Sequence, residues 1–132
     1  MDADTEAVRD ALTALDEAFE RRDLQAALEL CTEDVVFIGS GEGEEAVGRE
    51  KIGPMFAALA PHLEGMQFSL PPWEAVEVEV LGDVAVLYAW GPATLVTSRR
   101  HTSFRYRLTG VLVRDGERWL WRIHHGSEPG PW

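Results

Sequence analysis

The sequence has little of what would crosslink the chain or fix it to a membrane. It has 132 residues, with one cysteine, one lysine and no asparagine. A disulfide needs two thiols, so Cys31 cannot form one within the chain, and we expect it to be a small core residue. No stretch approaches the roughly 20 apolar residues of a membrane span. No basic and apolar leader precedes the first acidic residues, so we expect an untargeted cytoplasmic protein.

Positive charge is also scarce, and it is unevenly placed. The chain has 23 acidic and 12 basic residues, which gives a formal net charge of −11. Residues 1–50 hold 15 acids and four arginines, whereas residues 51–132 hold eight residues of each sign. Nucleic acids and anionic membranes are bound through clustered Lys and Arg, so this balance disfavours both as partners. The neutral second half stays open to a small anionic ligand.

Hydrophobic patterning divides the chain into helices followed by strands. Apolar residues at helical spacing predict helices over residues 5–22, 24–31 and 49–60. A short strand at residues 35–38 leads into an acidic, Gly-rich loop at residues 39–48. Alternating apolar residues then predict strands at residues 66–70, 75–81, 84–97, 104–114 and 119–127. Helices separated from a mostly antiparallel meander, without an internal repeat, predict a single α+β domain over residues 1–132.

The last two strands can be given a register from their turn. Asp115-Gly116 is a strong signal for a two-residue hairpin loop. In that register the apolar face carries Tyr106, Trp119, Trp121, Ile123 and His125, and it sets the Trp121 ring over Gly110. The opposite face is basic and polar, and it carries Arg107, Thr109, Arg122 and His124. By polarity alone, the Trp-rich face should pack on the helices and the Arg-rich face should meet solvent.

In a second interpretation, neither face of this hairpin is exposed to solvent. A strongly curved sheet can enclose a cavity on one side and meet an oligomer partner on the other. In that arrangement Arg107, Arg122 and His124 would supply hydrogen-bond donors to an anion, and Thr109 would add a hydroxyl.

Four stretches of the chain carry a resemblance to a known family. They are residues 22–28 (RDLQAAL), residues 32–37 (TEDVVF), Gly48-Arg49, and the ending in which Arg114-Asp115-Gly116 is followed by Trp119, His125, Ser127 and Pro129. Together and in this order they resemble the SnoaL-like (DUF4440-type) branch of the NTF2-like superfamily, over residues 6–129. The fold hosts isomerases, cyclases, dehydratases and non-catalytic domains, so the resemblance implies the architecture more than an activity.

The resemblance implies a cone, in which a curved sheet wraps around the helices, with a pocket in its concavity. Similarity to the kinase association domain of the superfamily implies that Arg107, Thr109, Arg122 and His124 point into the pocket. It also implies a homodimer through the outer sheet face, formed by Tyr106, Trp119, Trp121, Ile123 and His125. This placement is the reverse of the polarity interpretation, and we adopt it as the prediction.

The sequence has few of the residues that known active sites of this fold require. Ketosteroid-isomerase-like members use a tyrosine, a carboxylate base and a protonated aspartate. At the corresponding positions this chain has Leu15, Gly39 and either Thr109 or Gly110, which disfavours that chemistry.

Metal and hydrolase patterns are equally weak. His101, His124 and His125 do not converge on a metal, because adjacent strand residues point to opposite faces, so we expect no metal and no cofactor. A catalytic triad could be assembled by residue type from Ser127, His125 and Asp34, but no nucleophile motif supports it.

Three hypotheses about function follow. The leading one is a domain that binds a small organic molecule in the cone pocket, with Arg107 and Arg122 holding an acidic group if the ligand has one. The first alternative is an enzyme of the polyketide-cyclase, isomerase or dehydratase type with His124 as general base, kept neutral by flanking arginines. The second alternative is a non-catalytic dimerisation domain.

Overall fold

The fold consists of helices packed against one strongly connected sheet. The structure is a computed structural model that describes residues 2–63, 65, 67–69, 72–99 and 101–130. The helices are α1 (Ala3–Glu20), α2 (Leu24–Glu29) and α3 (Arg49–Leu63). The strands are β1 (Cys31–Ile38), β2 (Glu45–Val47), β3 (Gln67–Ser69), β4 (Ala75–Leu81), β5 (Val84–Val96), β6 (His101–Asp115) and β7 (Arg118–Ser127).

The predicted α+β class is confirmed, and most predicted elements form. Helix α1 begins after Asp2, whose side chain accepts a hydrogen bond from the Thr5 amide, and its apolar stripe is buried as the spacing predicts. Two details differ. Cys31 begins β1 instead of ending α2, and the predicted acidic loop contains β2. Residues 66 and 70, the ends of the second predicted strand, lie outside the described residues.

The sheet has seven strands among the described residues, and its order is β2-β1-β7-β6-β5-β3, with β4 also paired to β5. All neighbouring strands are antiparallel except β1 and β7, which run parallel. The last strand therefore pairs with the first, and this pairing closes the meander back onto the helical part of the chain.

The turn between β6 and β7 lies one residue later than the sequence predicts. Its loop is Gly116-Glu117, because Asp115 pairs with Arg118. Gly116 has a φ of 63°, which glycine adopts without steric strain. All opposite pairs are thus displaced by at least two residues from the predicted ones. A displacement of two alone would leave each side chain on its predicted face.

A β-bulge then changes the faces beyond the turn. Leu112 pairs with Trp121, but its neighbour Val111 pairs with Ile123, so Arg122 is the extra residue of β7. Because side chains alternate along a strand, one inserted residue moves every following side chain to the other face.

The helices therefore meet a different set of residues from the predicted one. Tyr106, Trp119 and Trp121 point inward and are buried, Trp121 with 0% of its surface exposed. The bulge adds His124 to this inner face. The outer face carries Arg107, Thr109, Ile123 and His125. The family-based placement is thus wrong for the three inner rings and for Arg107 and Thr109, and the polarity interpretation is confirmed for them, because burying large rings is favourable whereas burying an unpaired guanidinium is costly.

Candidate functional site

The inner concavity contains a group of rings that come from four elements. Phe19 on α1, Phe37 on β1, Phe56 on α3 and His124 on β7 face one another, and we call this group the aromatic chamber. His124 stacks on Phe37, with ring centroids 5.2 Å apart and planes 7° from parallel. The Phe19 ring lies 6.2 Å from the His124 ring and 6.4 Å from the Phe56 ring. The phenylalanines are only partly buried, so solvent reaches the chamber.

The free space in the chamber is small and apolar. The cavity beside these rings measures about 10 Å³, which is room for about one water molecule. Its lining is apolar apart from the Cys31 thiol and the His124 imidazole. The thiol donates to the Ala27 carbonyl, with sulfur and oxygen 3.4 Å apart, and burial raises its pKa to about 11. Cys31 is therefore the core residue that the sequence predicts, and not a nucleophile.

His124 is the polar group that distinguishes this chamber. Its residue surface is 7% exposed, and its buried Nδ1 has no hydrogen-bond partner among the described residues. Burial lowers its pKa to about 4, with a smaller contribution from the charge of His125. The imidazole is therefore neutral at neutral pH. The cause is desolvation and not the flanking arginines.

A second polar group lies toward the edge of the concavity. The indole nitrogen Nε1 of Trp73 donates to a carboxylate oxygen of Asp16, and the two atoms are 2.8 Å apart. The Trp73 ring also packs against Tyr106, with centroids 6.1 Å apart. We call these three residues the rim site, because Asp16 and Trp73 are partly exposed whereas Tyr106 is buried.

The rim site has unusual electrostatics. Burial raises the pKa of the Asp16 carboxyl to about 6, and the negative charges of Glu20 and Glu17 raise it further against the lowering effect of the Trp73 hydrogen bond. Burial also raises the pKa of Tyr106 well above its ordinary value, with smaller contributions from nearby carboxylates. A carboxyl that titrates near neutral pH inside a concave surface is a feature typical of functional sites.

The structure does not bring the four predicted ligand-binding residues together. Arg107 lies on the outer face, where its Nη2 donates to the Glu128 carbonyl oxygen at 3.3 Å, and Thr109 is exposed beside it. Arg122 donates to the Asp34 carbonyl oxygen at 2.9 Å and forms an ion pair with the Asp34 carboxylate. Of the four, His124 enters the concavity.

The outer face of the sheet presents an apolar row in place of the predicted tryptophans. Partners on adjacent strands point to the same side, so the registers place five residues next to one another across five strands. We call this row the outer band, and it comprises Val36, Val47, Val86, Val111 and Ile123. Val47 is 68% exposed, and Val84 and Leu81 extend the apolar surface beside the row.

Two further features bear on function. Among the described residues, no group of three or more His, Cys, Asp or Glu side chains is arranged to hold a metal ion. None of the helices in the described part of the chain is long and apolar enough to cross a membrane.

Comparisons with known proteins agree with this architecture. The chain is similar to a proposed dehydratase of the NTF2-like family from Streptomyces avermitilis, with 25% identity, a TM-score of 0.73 and 97% of each chain covered. A ketosteroid isomerase-like protein from Erwinia carotovora atroseptica is 20% identical, with a TM-score of 0.75 over 99% of this chain and 100% of that one.

A third similar structure is a proposed Ca/calmodulin-dependent kinase II association domain from Exiguobacterium sibiricum. It is 18% identical, with a TM-score of 0.71 over 100% of this chain and 98% of that one. The comparison with curated proteins found no match. The model of the SnoaL-like domain matches residues 8–131. The chain therefore belongs to the SnoaL-like domain family, and its fold is NTF2-like.

Proposed function

We propose that this domain binds a small organic molecule in the aromatic chamber. The observation that carries the proposal is His124, a neutral imidazole with an unpartnered Nδ1, in contact with the partly exposed rings of Phe19 and Phe37. Buried polar atoms are normally paired, so an orphan atom beside a solvent-reachable apolar space is well placed for a ligand. Ligand sites typically combine such apolar walls with a few fixed polar groups.

The chamber favours a ligand without an acidic group at this position. Its lining holds no basic side chain among the described residues. Arg107 lies on the opposite side of the sheet, and Arg122 is occupied by Asp34. A carboxylate in the chamber would lose its hydration without gaining a counter-charge, which is costly. The anionic version of the sequence-based hypothesis therefore finds no support in this geometry.

Binding requires the chamber to widen. A cavity of about 10 Å³ cannot hold an organic molecule. Phe19 and Phe56 are helix residues with partial exposure, so rotation of their side chains toward solvent would open the space without breaking the sheet. Side-chain rotation of this kind is common when ligands bind.

A matched set of variants tests this proposal. Benzyl alcohol is a suitable neutral probe, followed by NMR shifts of the aromatic and histidine side chains. We expect saturable shifts at His124 and Phe37, and weaker binding in Phe19→Ala. Arg107→Ala, which changes the outer face, should bind as the parent does. Binding that is lost in Arg107→Ala but kept in Phe19→Ala would contradict the proposal.

An enzymatic use of the same chamber is the alternative. The neutral imidazole of His124 could accept a proton from a bound substrate, which suits isomerase, cyclase or dehydratase chemistry. The likeness to a proposed dehydratase at 25% identity favours this class. If a turnover is found, His124→Gln should reduce it by about 100-fold or more, as expected for loss of a general base. Full activity in that variant would remove His124 from the reaction.

We also propose that the outer face forms a homodimer. The outer band is a continuous apolar row that no other element in the described part of the chain covers. The same face carries both charges, since Glu77 pairs with Tyr88 on β5 and Arg107 pairs with Trp90. A twofold-related copy could therefore match acidic with basic positions around the apolar row. In this proposal the outer band takes the place of the predicted tryptophans. Of the predicted set, Ile123 belongs to the band and His125 lies on the same face.

A further inference from the structure

We propose that the ligand of the aromatic chamber is an organic cation, a small arylalkyl or alkyl ammonium compound, and that the rim site holds its ammonium group. This inference rests on the proposed function, because it assigns the ligand class of the same concavity. The carboxylate of Asp16 would accept one ammonium N–H, and the rings of Trp73 and Tyr106 would face the charge.

The rim site is assembled from three distant parts of the chain. Asp16 lies on α1, Trp73 lies before β4, and Tyr106 lies on β6. The 2.8 Å hydrogen bond from Trp73 orients the carboxylate, and the 6.1 Å contact between the two rings builds an aromatic wall beside it. A carboxylate next to aromatic faces is the combination that recognises ammonium groups in proteins.

The charges that raise the pKa values of the Asp16 and Tyr106 side chains are negative. The groups that act on the Asp16 carboxyl are Glu17 and Glu20. The carboxylates of Glu44, Asp16 and Glu128 also raise the pKa of the Tyr106 hydroxyl, after the larger effect of its burial. Asp16 is thus a partly buried carboxyl that forms no ion pair with the residues the structure describes, and a bound ammonium would supply a counter-cation.

The rim site and the aromatic chamber are built from neighbouring positions of α1 and β7. Asp16 precedes Phe19 by three residues on α1, so both side chains lie on the same side of the helix. The Tyr106 hydroxyl lies over Gly126, where a Cβ atom would be 1.6 Å from the hydroxyl oxygen. Gly126 follows His124 by two residues on the inner face of β7, so the hydroxyl and the imidazole are neighbours along one strand.

His124 supplies an independent observation that a ligand belongs here. Its imidazole lines the chamber, it is 7% exposed, and its Nδ1 has no hydrogen-bond partner among the described residues. In its neutral form one ring nitrogen can accept a hydrogen bond. The Asp16 carboxylate and the unpartnered imidazole are thus two polar groups on the helix and the strand that also border the phenylalanine rings, which suit an apolar body.

Three aromatic probes of similar size test the ligand class: benzylamine, benzyl alcohol and benzoate. We expect benzylamine to bind about tenfold or more tightly than benzyl alcohol at about pH 7, and benzoate to bind weakest. Asp16→Asn should remove most of the preference for the amine and leave the alcohol within about twofold. Asp10→Asn, which removes the same charge from an exposed position on α1, should leave both affinities unchanged.

The pH profile of the parent protein gives a readout that needs no variant. Proton uptake by Asp16 between about pH 7 and pH 5 should weaken benzylamine binding and leave benzyl alcohol binding unchanged. Equal affinities for amine and alcohol, with no effect of Asp16→Asn, would overturn the cation assignment while the proposed chamber site stands. Tightest binding of benzoate would also overturn it. Failure of all three probes to shift His124 would overturn both proposals.

Discussion

His124 couples the stability of the fold to pH because its imidazole is buried. Its pKa is about 4 in the folded protein and 6.5 when solvated. Between these pH values the unfolded chain binds a proton at this histidine and the folded protein does not. The free energy of unfolding therefore increases as the pH rises through this window. The contribution is complete above about pH 6.5 and is lost progressively as the pH falls toward 4.

The variant His124→Gln isolates this effect because its side chain does not titrate. Relative to the parent, the variant should gain on the order of 3 kcal/mol between about pH 7 and pH 4, since each pKa unit corresponds to about 1.4 kcal/mol. Urea denaturation at the two pH values measures the change. His125→Gln, at the exposed neighbouring position, is the control and should parallel the parent. Parallel curves for His124→Gln would show that the imidazole is solvated.

Asp16 has the opposite linkage. Its pKa is raised from 3.8 to about 6, so the folded protein holds a proton that the unfolded chain releases. The stability that this proton gives is fully present below about pH 3.8 and is lost as pH rises through 6. Asp16→Asn should therefore become more stable relative to the parent as pH increases from 4 to 7.5. Asp10→Asn should show no such trend, and the same trend in both would assign it to general charge repulsion.

Gly110 tests the packing of the inner face. A Cβ at this position would lie 2.3 Å from Cζ3 of the Trp121 ring and 3.0 Å from the Ile123 carbonyl oxygen. The ring is also fixed by its indole nitrogen, which donates to the Ala11 carbonyl oxygen at 3.2 Å. Gly110→Ala should therefore lower the free energy of unfolding by about 1–3 kcal/mol. Gly130→Ala, where nothing lies within 4 Å, is the control. Equal stabilities would mean that Trp121 packs elsewhere.

At the scale of the elements, the β-bulge in β7 decides which residues share a face. Arg122 occupies the bulge and bridges it to β1 through its hydrogen bond and ion pair with Asp34. Arg122→Ala should destabilise the fold by about 1 kcal/mol, because a charge-assisted contact between two strands is lost. Arg107→Ala should change stability by less than about 0.5 kcal/mol. A similar cost for both variants would argue against a structural role of the bulge arginine.

The same bulge marks the limit of what the sequence predicts. Periodicity predicts the helices, the meander and the α+β class, because burial of an apolar stripe is a local property of the pattern. The predicted register sets the Trp121 ring over Gly110, and the ring does lie there, although Trp121 pairs with Leu112 and not with Gly110. Periodicity does not predict a single inserted residue, since Arg122 carries no turn or glycine signal, and this one residue exchanges His124 with Ile123 between the faces.

The sequence does not predict the rim site, because its residues come from distant parts of the chain. Asp16 shares its helix side with Phe19, so the pattern contained a weak signal of a charged residue near the core. Nothing local indicates that Trp73 would reach it across 57 positions of the chain. The family resemblance implied an inner pocket and an outer interface, and it assigned the hairpin faces in reverse. Residue polarity gave the correct inner rings because burial energy acts on each side chain directly.

At the scale of the molecule, the net charge of −11 and the outer band have opposite effects on self-association. Like charge keeps copies of the chain apart, whereas an exposed apolar row favours pairing. Val111 lies inside the row, between Ile123 and Val86, so Val111→Lys should convert a dimer to a monomer with the fold retained. Sedimentation at micromolar concentration measures this, with Thr13→Lys on exposed α1 as the charge-matched control. A parent protein that is monomeric under these conditions would refute the homodimer.

The central claim is that this domain binds its ligand in the inner concavity around His124 and not on the outer face that carries Arg107. NMR of imidazole-labelled histidines during titration with benzylamine tests it directly. We expect saturable shifts of the His124 resonances and none at His125, which lies on the outer face of the same strand. Shifts confined to His125, or a His124 that does not respond at saturating probe, would contradict this account.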